Sequence, residues 1–170
     1  MIGDRWGVTD DEVARRYPCD DVVRSPVLQA WRGVTVRTTP ENLWPWVAQI
    51  RLAPYSYDWI DNLGRRSPQE LRDLPEPAAG QPFTTAATRR LGRILTVSAT
   101  EHITGRIAGT VISYVLVPNG DTTRLLMKIV AAKGRLTAPL LTVGDLVMAR
   151  RQLLNLKRLA EQGAPTPLAQ

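Results

Sequence analysis

Cysteine and histidine are almost missing from this chain, with Cys19 and His102 standing alone in 170 residues. One thiol forms no internal disulfide, and one thiol with one imidazole cannot build a Cys/His zinc cage within a monomer. Long apolar runs are missing as well. No stretch of about 18 uninterrupted apolar residues occurs, and Asp4 and Arg5 stand where a signal peptide would carry its apolar segment. The chain is therefore expected to be cytoplasmic, with no transmembrane segment. It also has no glycine-rich phosphate loop, no nucleophile elbow and no spaced metal ligands, so the common enzyme signatures are absent. No metal and no cofactor is expected.

The charge is positive. Lysine and arginine number 22 against 16 acidic residues, a net charge of +6, with local pairs at Arg15-Arg16, Arg65-Arg66, Arg89-Arg90 and Arg150-Arg151. Clustered cations would favour nucleic acid through counterion release. Here the arginines are spread along the chain, and no helix-turn-helix, zinc finger or aromatic RNA-binding signature accompanies them. The reading is against a nucleic-acid partner. A composition of 44% hydrophobic and 22% charged residues is that of an ordinary globular protein, and the length suits one domain. The expected division is an arm with a short helix over 1–27, a domain over 28–163 and a loose tail over 164–170.

In a chain that is only 6% aromatic, residues 40–63 hold three of the five tryptophans (Trp44, Trp46, Trp59) and two of the four tyrosines (Tyr55, Tyr57). Rings at that density make a core or line a pocket. Before them, Thr9-Asp10-Asp11-Glu12 is a capping box that predicts a helix of about two turns ending near Tyr17, ahead of Pro18. The arm is expected to pack through Trp6, Val8 and Val13. Residues 28–38 alternate as a strand, with Leu28, Ala30, Val34 and Val36 on one face. Arg32 falls on that apolar face, either as a packed stem with its head in water or as an inward cation for an acidic ligand group. Thr39 or Thr38 caps a helix with Pro40 in its first turn and Leu43, Trp44 and Val47 on its apolar side. A second short helix or irregular lid is expected over 55–63, and Ser67 to Glu70 repeats the capping pattern for one more turn.

After a Pro/Ala/Gly loop at 75–80 the period changes from helical to alternating. Strands are predicted over 81–87, 93–99, 101–106, 109–117 and 122–132, the last two joined by the hairpin Pro118-Asn119-Gly120-Asp121. Leu125, Met127 and Ile129 share one face of the final strand and Arg124 and Lys128 the other, which predicts a sheet with one wet side. Residues 142–162 read as a long amphipathic helix, apolar through Leu146, Ala149, Leu153, Leu156 and Ala160 and closed by Gly163. Arg151, Asn155, Arg158 and Gln162 occupy its opposite face. Strands and helices segregated in this way mean α+β architecture. A curved antiparallel sheet gripping a long helix leaves a natural ligand cavity between them.

Val34-Thr35-Val36 running into Thr39-Pro40-Glu41, Leu43-Trp44-Pro45-Trp46-Val47, Tyr55-Ser56-Tyr57-Asp58-Trp59, Thr123-Arg124-Leu125 after a hairpin, and the long final helix together resemble the SRPBCC (START/Bet v 1-like) superfamily. More narrowly the chain is similar to actinobacterial polyketide cyclase/dehydrase and lipid-transport-like proteins, whose arm resembles Trp6-Gly7-Val8-Thr9-Asp10-Asp11-Glu12-Val13-Ala14. The resemblance implies a helix-grip fold, with a curved antiparallel sheet around a long C-terminal helix and short helices after the first strand. It also implies a hydrophobic cavity for a lipid, polyketide or similar apolar metabolite, and in some members cyclase or aromatase activity. Such motifs specify fold more than chemistry.

The expected ligand-binding residues are Tyr55, Tyr57, Trp59, Tyr114, Met127 and Arg150. Asp58, His102 and Tyr114 are the acid/base candidates. Asp58 reads first as a cap of the following helical turn, and adjacent strand residues point oppositely, so at most one of Glu101 and His102 faces the cavity. Arg150 and Lys157 are cations at the edge of the broad apolar side of the last helix. The first reading is a carrier or sensor of a hydrophobic small molecule. The alternative is a polyketide cyclase, aromatase or dehydratase that uses a few polar cavity residues.

Overall fold

A computed structural model describes residues 4–56, 63–64, 66–132 and 139–163, without the side chains of 139–147. The chain opens with β1 (Arg5–Trp6), followed by α1 (Asp10–Ala14) and α2 (Pro18–Val22). The predicted capping box is present: the Glu12 amide donates to the Thr9 hydroxyl at 3.2 Å and the Thr9 amide donates to the Glu12 carboxylate at 2.9 Å. The helix is shorter than expected. Arg15 is already extended, with ψ 144°, and Pro18, expected only to stop one helix, supplies the first residue of the next.

Next come β2 (Leu28–Val36) and α3 (Pro40–Ala48), with Thr39 at its N-cap position, though without a side-chain cap bond, and Pro40 in the first turn as predicted. Leu43, Trp44 and Val47 are buried, while Pro45 lies on the exposed side. A 3-10 turn over Gln49–Arg51 ends this segment. The helical turn expected at Ser67 does not form. The Ser67 hydroxyl is turned inward to accept from the Tyr55 amide at 3.3 Å, so it does not cap a following turn.

The remaining strands are β3 (Thr84–Ala86), β4 (Arg89–Leu91), β5 (Arg93–Ser98), β6 (His102–Ile107), β7 (Thr110–Asn119) and β8 (Thr122–Ala131). β4 was not foreseen, because its hairpin with β3 turns through Ala87 and Thr88, both with positive φ (49° and 70°), where glycine or asparagine is the usual signal. The long helix α4 (Pro139–Gln162) begins three residues earlier than predicted, on Pro139.

Six strands form one sheet in the order β1-β2-β8-β7-β6-β5. All pairings are antiparallel except β1 with β2. Alternation divides the sheet as the sequence predicts: Ala30, Val34, Val36, Tyr114, Leu125, Met127 and Ile129 belong to the cluster that includes Ala149, Leu153, Leu156 and Ala160 of α4. The expected wet side is not wet. A second core of Tyr17, Cys19, Val23, Trp31, Val111, Val115, Leu126 and Val130 lies there under the N-terminal arm, and Lys128 is only 5% exposed.

Two cations of β8 clamp that arm. Arg124 donates to both carboxylate oxygens of Glu12, at 2.7 and 2.8 Å, and to the Gly7 carbonyl at 2.7 Å. Lys128 meets Asp20 at 2.6 Å and lies 5.4 and 5.1 Å from the Tyr17 and Trp31 ring centroids. The Cys19 amide donates to Ser113 Oγ at 2.9 Å, and Ser113 in turn bonds Thr104 at 2.8 Å. Each of these two cations thus has a charged partner, which removes the large penalty of burying it alone. Gly7 lies so close to Gly33 that a Cβ there would stand 2.2 Å from the Gly33 carbonyl oxygen.

The Arg124 hydrogen bond holds the Glu12 carboxyl below the usual carboxylate range. A depressed acid stabilises the fold above its unfolded pKa of about 4.3, and the contribution fades as pH falls toward and through the folded value. Urea unfolding from pH 7 to pH 3 will show this loss in the natural chain and its absence in Glu12→Gln. At neutral pH that variant will unfold more easily by about 1–2 kcal/mol.

Candidate functional site

The helix-facing side of the sheet is the apolar layer that could take a ligand, and a few polar side chains are built into it. The α4 backbone approaches closest to β2 and α3, on one flank of the sheet. Over β6 the space is taken by Phe83, the single phenylalanine. Gly105 of β6 lies beneath the ring, so that a Cβ there would meet Phe83 Cδ2 at 2.1 Å, and the Phe83 and Tyr114 centroids are 6.2 Å apart. Only a residue without a side chain lets the ring lie on the sheet.

Tyr114 is 3% exposed. It stands opposite Met127 in the β7–β8 register, and its hydroxyl donates to Gln152 Oε1 of α4 at 2.6 Å. Gln152 Nε2 continues the chain of bonds to the Pro54 carbonyl at 2.5 Å. One turn further, Asn155 Nδ2 donates to the carbonyls of Tyr55 and Ser56 at 2.9 and 3.3 Å. Asn155, assigned by periodicity to the outer face, thus works at the flank of the helix. Burial pushes the Tyr114 phenol above its ordinary pKa, with the Gln152 bond acting in the opposite direction. At neutral pH it is a neutral hydroxyl.

Tyr55 is buried and adopts φ +55°, a conformation that costs most L-residues about 1–2 kcal/mol. Its surroundings over-determine it. Gln49 Nε2 donates to the Tyr55 hydroxyl at 2.6 Å and to the Glu70 carbonyl at 3.0 Å, while Gln49 Oε1 accepts from the Arg72 amide at 2.7 Å. Arg51 spans to the Pro75 carbonyl at 2.6 Å and to Gln81 Oε1 at 3.1 Å. Trp44 Nε1 donates to Glu76 at 3.0 Å. Together these bonds tie residues 49–56 and 67–81 into one edge of the layer.

Of the residues singled out from sequence, the structure brings Tyr114 and Met127 together on the helix-facing side, with Tyr55 on the edge that Gln152 and Asn155 hold. Tyr57, Asp58 and Trp59 lie outside the described residues. His102 is a correction: it shares its strand parity with Thr104, so it faces the arm side of the sheet, away from α4, and burial lowers its pKa. Arg150 is another. Its head is exposed and stacks 4.7 Å over the Trp6 ring. Arg32 is inward but does not reach water. It is 2% exposed, and its guanidinium donates to the carbonyls of Asp4 and Trp31 at 2.8 and 2.7 Å. Lys157 is committed to the Thr35 carbonyl and to Glu161, both at 2.6 Å. A groove of about 330 Å³ beside it, lined by Arg37, Leu154, Arg158, Glu161 and Gln162, lies at the outer C-terminal end of α4.

Gln49, Phe83 and Gln152 were missed from sequence. The available signals were weak: a glutamine at the rim of an apolar stripe, and a lone phenylalanine followed far along the chain by a glycine within a strand.

No protein-family model matches the chain, and no curated protein matches it in sequence. Solved structures do match. A Mesorhizobium loti protein aligns at 15% identity and TM-score 0.54, over 81% of this chain and 100% of that one. An AHSA1-like protein of Aeromonas hydrophila aligns at 15% identity and TM-score 0.51, over 79% and 93%. Another AHSA1-like protein, from Rhizobium etli, aligns at 11% identity and TM-score 0.50, over 84% and 89%. The chain has the helix-grip fold. Identities this low carry architecture alone. Within the helix grip, this chain has an arm that covers the second face of the sheet, the Phe83–Gly105 contact, and a glutamine and asparagine seam on α4.

Gly105→Ala will destabilise the protein by about 1–3 kcal/mol, because the new methyl must displace a ring from a packed layer. Combined with Phe83→Leu, its cost in a thermal or urea double-mutant cycle will be clearly less than the sum of the two single costs. Simple additivity would show that the two positions do not touch.

Proposed function

We propose that the chain binds a hydrophobic small molecule, such as a lipid or polyketide-like metabolite, between the sheet and α4, and acts as its carrier or sensor. The observation that carries this reading is the Tyr114 hydroxyl. It is a buried polar group within an apolar layer, it spends its one proton on Gln152, and its oxygen retains acceptor capacity. An apolar ligand with a single hydroxyl or N–H group suits that setting, since pockets of this kind combine apolar walls with a few placed polar atoms. Affinity comes mainly from apolar area removed from water, about 25 cal/mol per Å². The helix-grip neighbours support the fold in which such a site is built.

Cyclase, aromatase or dehydratase chemistry requires an ionisable group at about 3 Å from a reacting atom. Among the described residues Tyr114 is the one acid/base candidate on the helix-facing side, and its raised pKa suits a fixed hydrogen bond better than proton shuttling. The binding reading is therefore the stronger.

Titration with the fluorescent probe 1-anilinonaphthalene-8-sulfonate will give one saturable site, and native mass spectrometry of protein exposed to a lipid extract will give one adduct per chain. Phe83→Ala will increase uptake of the bulkier adducts. Tyr114→Phe will weaken hydroxyl-bearing adducts by about fivefold to tenfold while leaving the probe unaffected. Absence of uptake of both the probe and every lipid by a folded preparation would overturn the proposal.

A further inference from the structure

Four arginines that the linear sequence spreads between positions 89 and 106 meet at one corner of the sheet. Arg89 and Arg90 lie on β4, and Arg93, the first residue of β5, stands directly opposite Arg106 of β6. Gly92 joins β4 to β5 with φ +66°, so close to β6 that a Cβ there would lie 2.3 Å from the Arg106 carbonyl oxygen. That contact brings the end of β4 to the same place. All four arginines are exposed. Among the described residues, none of their guanidinium groups has a hydrogen-bond or ion-pair partner.

Single unpartnered arginines such as Arg24 and Arg66 occur elsewhere among the described residues, but here four come together. Arg5, Arg16, Arg124, Lys128 and Lys157 are each matched with a carboxylate. Between residues 84 and 110 the only acid is Glu101, at the far end of the β5–β6 hairpin, where it accepts from the Ser98 hydroxyl at 2.7 Å. Like charges facing each other across an antiparallel pair destabilise it. The Arg93–Arg106 pair therefore lowers stability in the free protein, and an anionic surface would relieve it.

The chemistry around the arginines narrows the partner. Leu91 is half-buried between Arg90 and Arg93, and the exposed turn Ala108-Gly109 lies just beyond Arg106; Ile107, adjacent to Arg106, turns to the opposite face and packs on the helix-facing core. No Phe, Tyr or Trp occurs between 84 and 110, and His102 stands at the opposite end of the β5–β6 hairpin, so the corner offers no platform on which bases could stack. The corner is built of strands and turns, with no helix to enter a DNA groove. Exposed cations flanking a half-buried leucine match the headgroup region of a bilayer. Among the described residues no helix is long and apolar enough to cross a membrane, so such contact would be peripheral.

We propose that this corner docks the protein on an anionic bilayer surface, with Arg89, Arg90, Arg93 and Arg106 on lipid headgroups and Leu91 at their inner boundary. The inference is independent of the small-molecule reading, because none of the four arginines belongs to the helix-facing layer.

The test is co-sedimentation of the full chain with phosphatidylcholine vesicles, with and without phosphatidylglycerol, at about 0.1 M and about 0.5 M salt. Binding is expected only to the anionic vesicles, and only at the lower salt. Arg93→Gln with Arg106→Gln will lower partitioning by about 25-fold, roughly fivefold per cation. The same variant will keep the thermal midpoint or raise it, and will keep its uptake of 1-anilinonaphthalene-8-sulfonate. A charge-matched control, Arg24→Gln with Arg66→Gln, will stay within about twofold of the natural chain. The proposal falls if neutral vesicles bind equally, if the corner variant binds as well as the control, or if a duplex or single-stranded oligonucleotide binds more tightly than the vesicles.

Discussion

Strand β8 is covered on both faces, and the rest of the structure depends on how its ten residues divide between them. Side chains alternate along a strand, so every second residue belongs to the α4 side and the others to the arm. Leu125, Met127 and Ile129 fill the first side without polar cost. Arg124 and Lys128, on the second, would be expensive to cover if they stood alone. The arm resolves this by bringing Glu12 and Asp20 to them. Burial of the second face and pairing of its charges are thus one event, and the short helices of the arm exist to present those two carboxylates.

The helix-facing layer is arranged on the opposite principle. Its contacts are mainly apolar, and its few polar bonds run along the edge, where Gln49, Gln152 and Asn155 hold backbone carbonyls or hydroxyls of the segment after α3. Side-chain amides suit this work because each both donates and accepts. The strained backbone of Tyr55 persists because three separate bonds fix its amide, carbonyl and hydroxyl. The polar seam sets where the edge of the layer lies, while Phe83 over Gly105 sets how much of the layer is filled.

Local rules were legible wherever one or two turns of chain decide the outcome. The Thr9–Glu12 box, the Thr39–Pro40 helix start and the alternation of β7 and β8 could be read directly, because capping and pleating act between near neighbours. Ser67 was misread: its hydroxyl serves the Tyr55 amide twelve residues away, and a long-range partner outbid the local cap. The wet face was misread for a similar reason. Arginine and lysine on alternate positions look the same in sequence whether they meet water or a buried carboxylate. His102 and Arg150 carried chemistry by residue type, but strand parity turned one away from the helix and the Trp6 ring holds the other at the surface.

The sequence by itself determined the α+β order, the apolar face of the last helix, and the parity that places Tyr114 and Met127 on the same side as that helix. Those properties follow from periodicity and local hydrogen bonding, which need no knowledge of distant chain. Only the tertiary structure decided that the arm covers the second face, that Phe83 rests on Gly105, that Gln152 bonds Tyr114, and that Arg93 meets Arg106. Each of these joins residues far apart in the chain, and which distant residues meet is set by strand register and packing, quantities that no single segment contains.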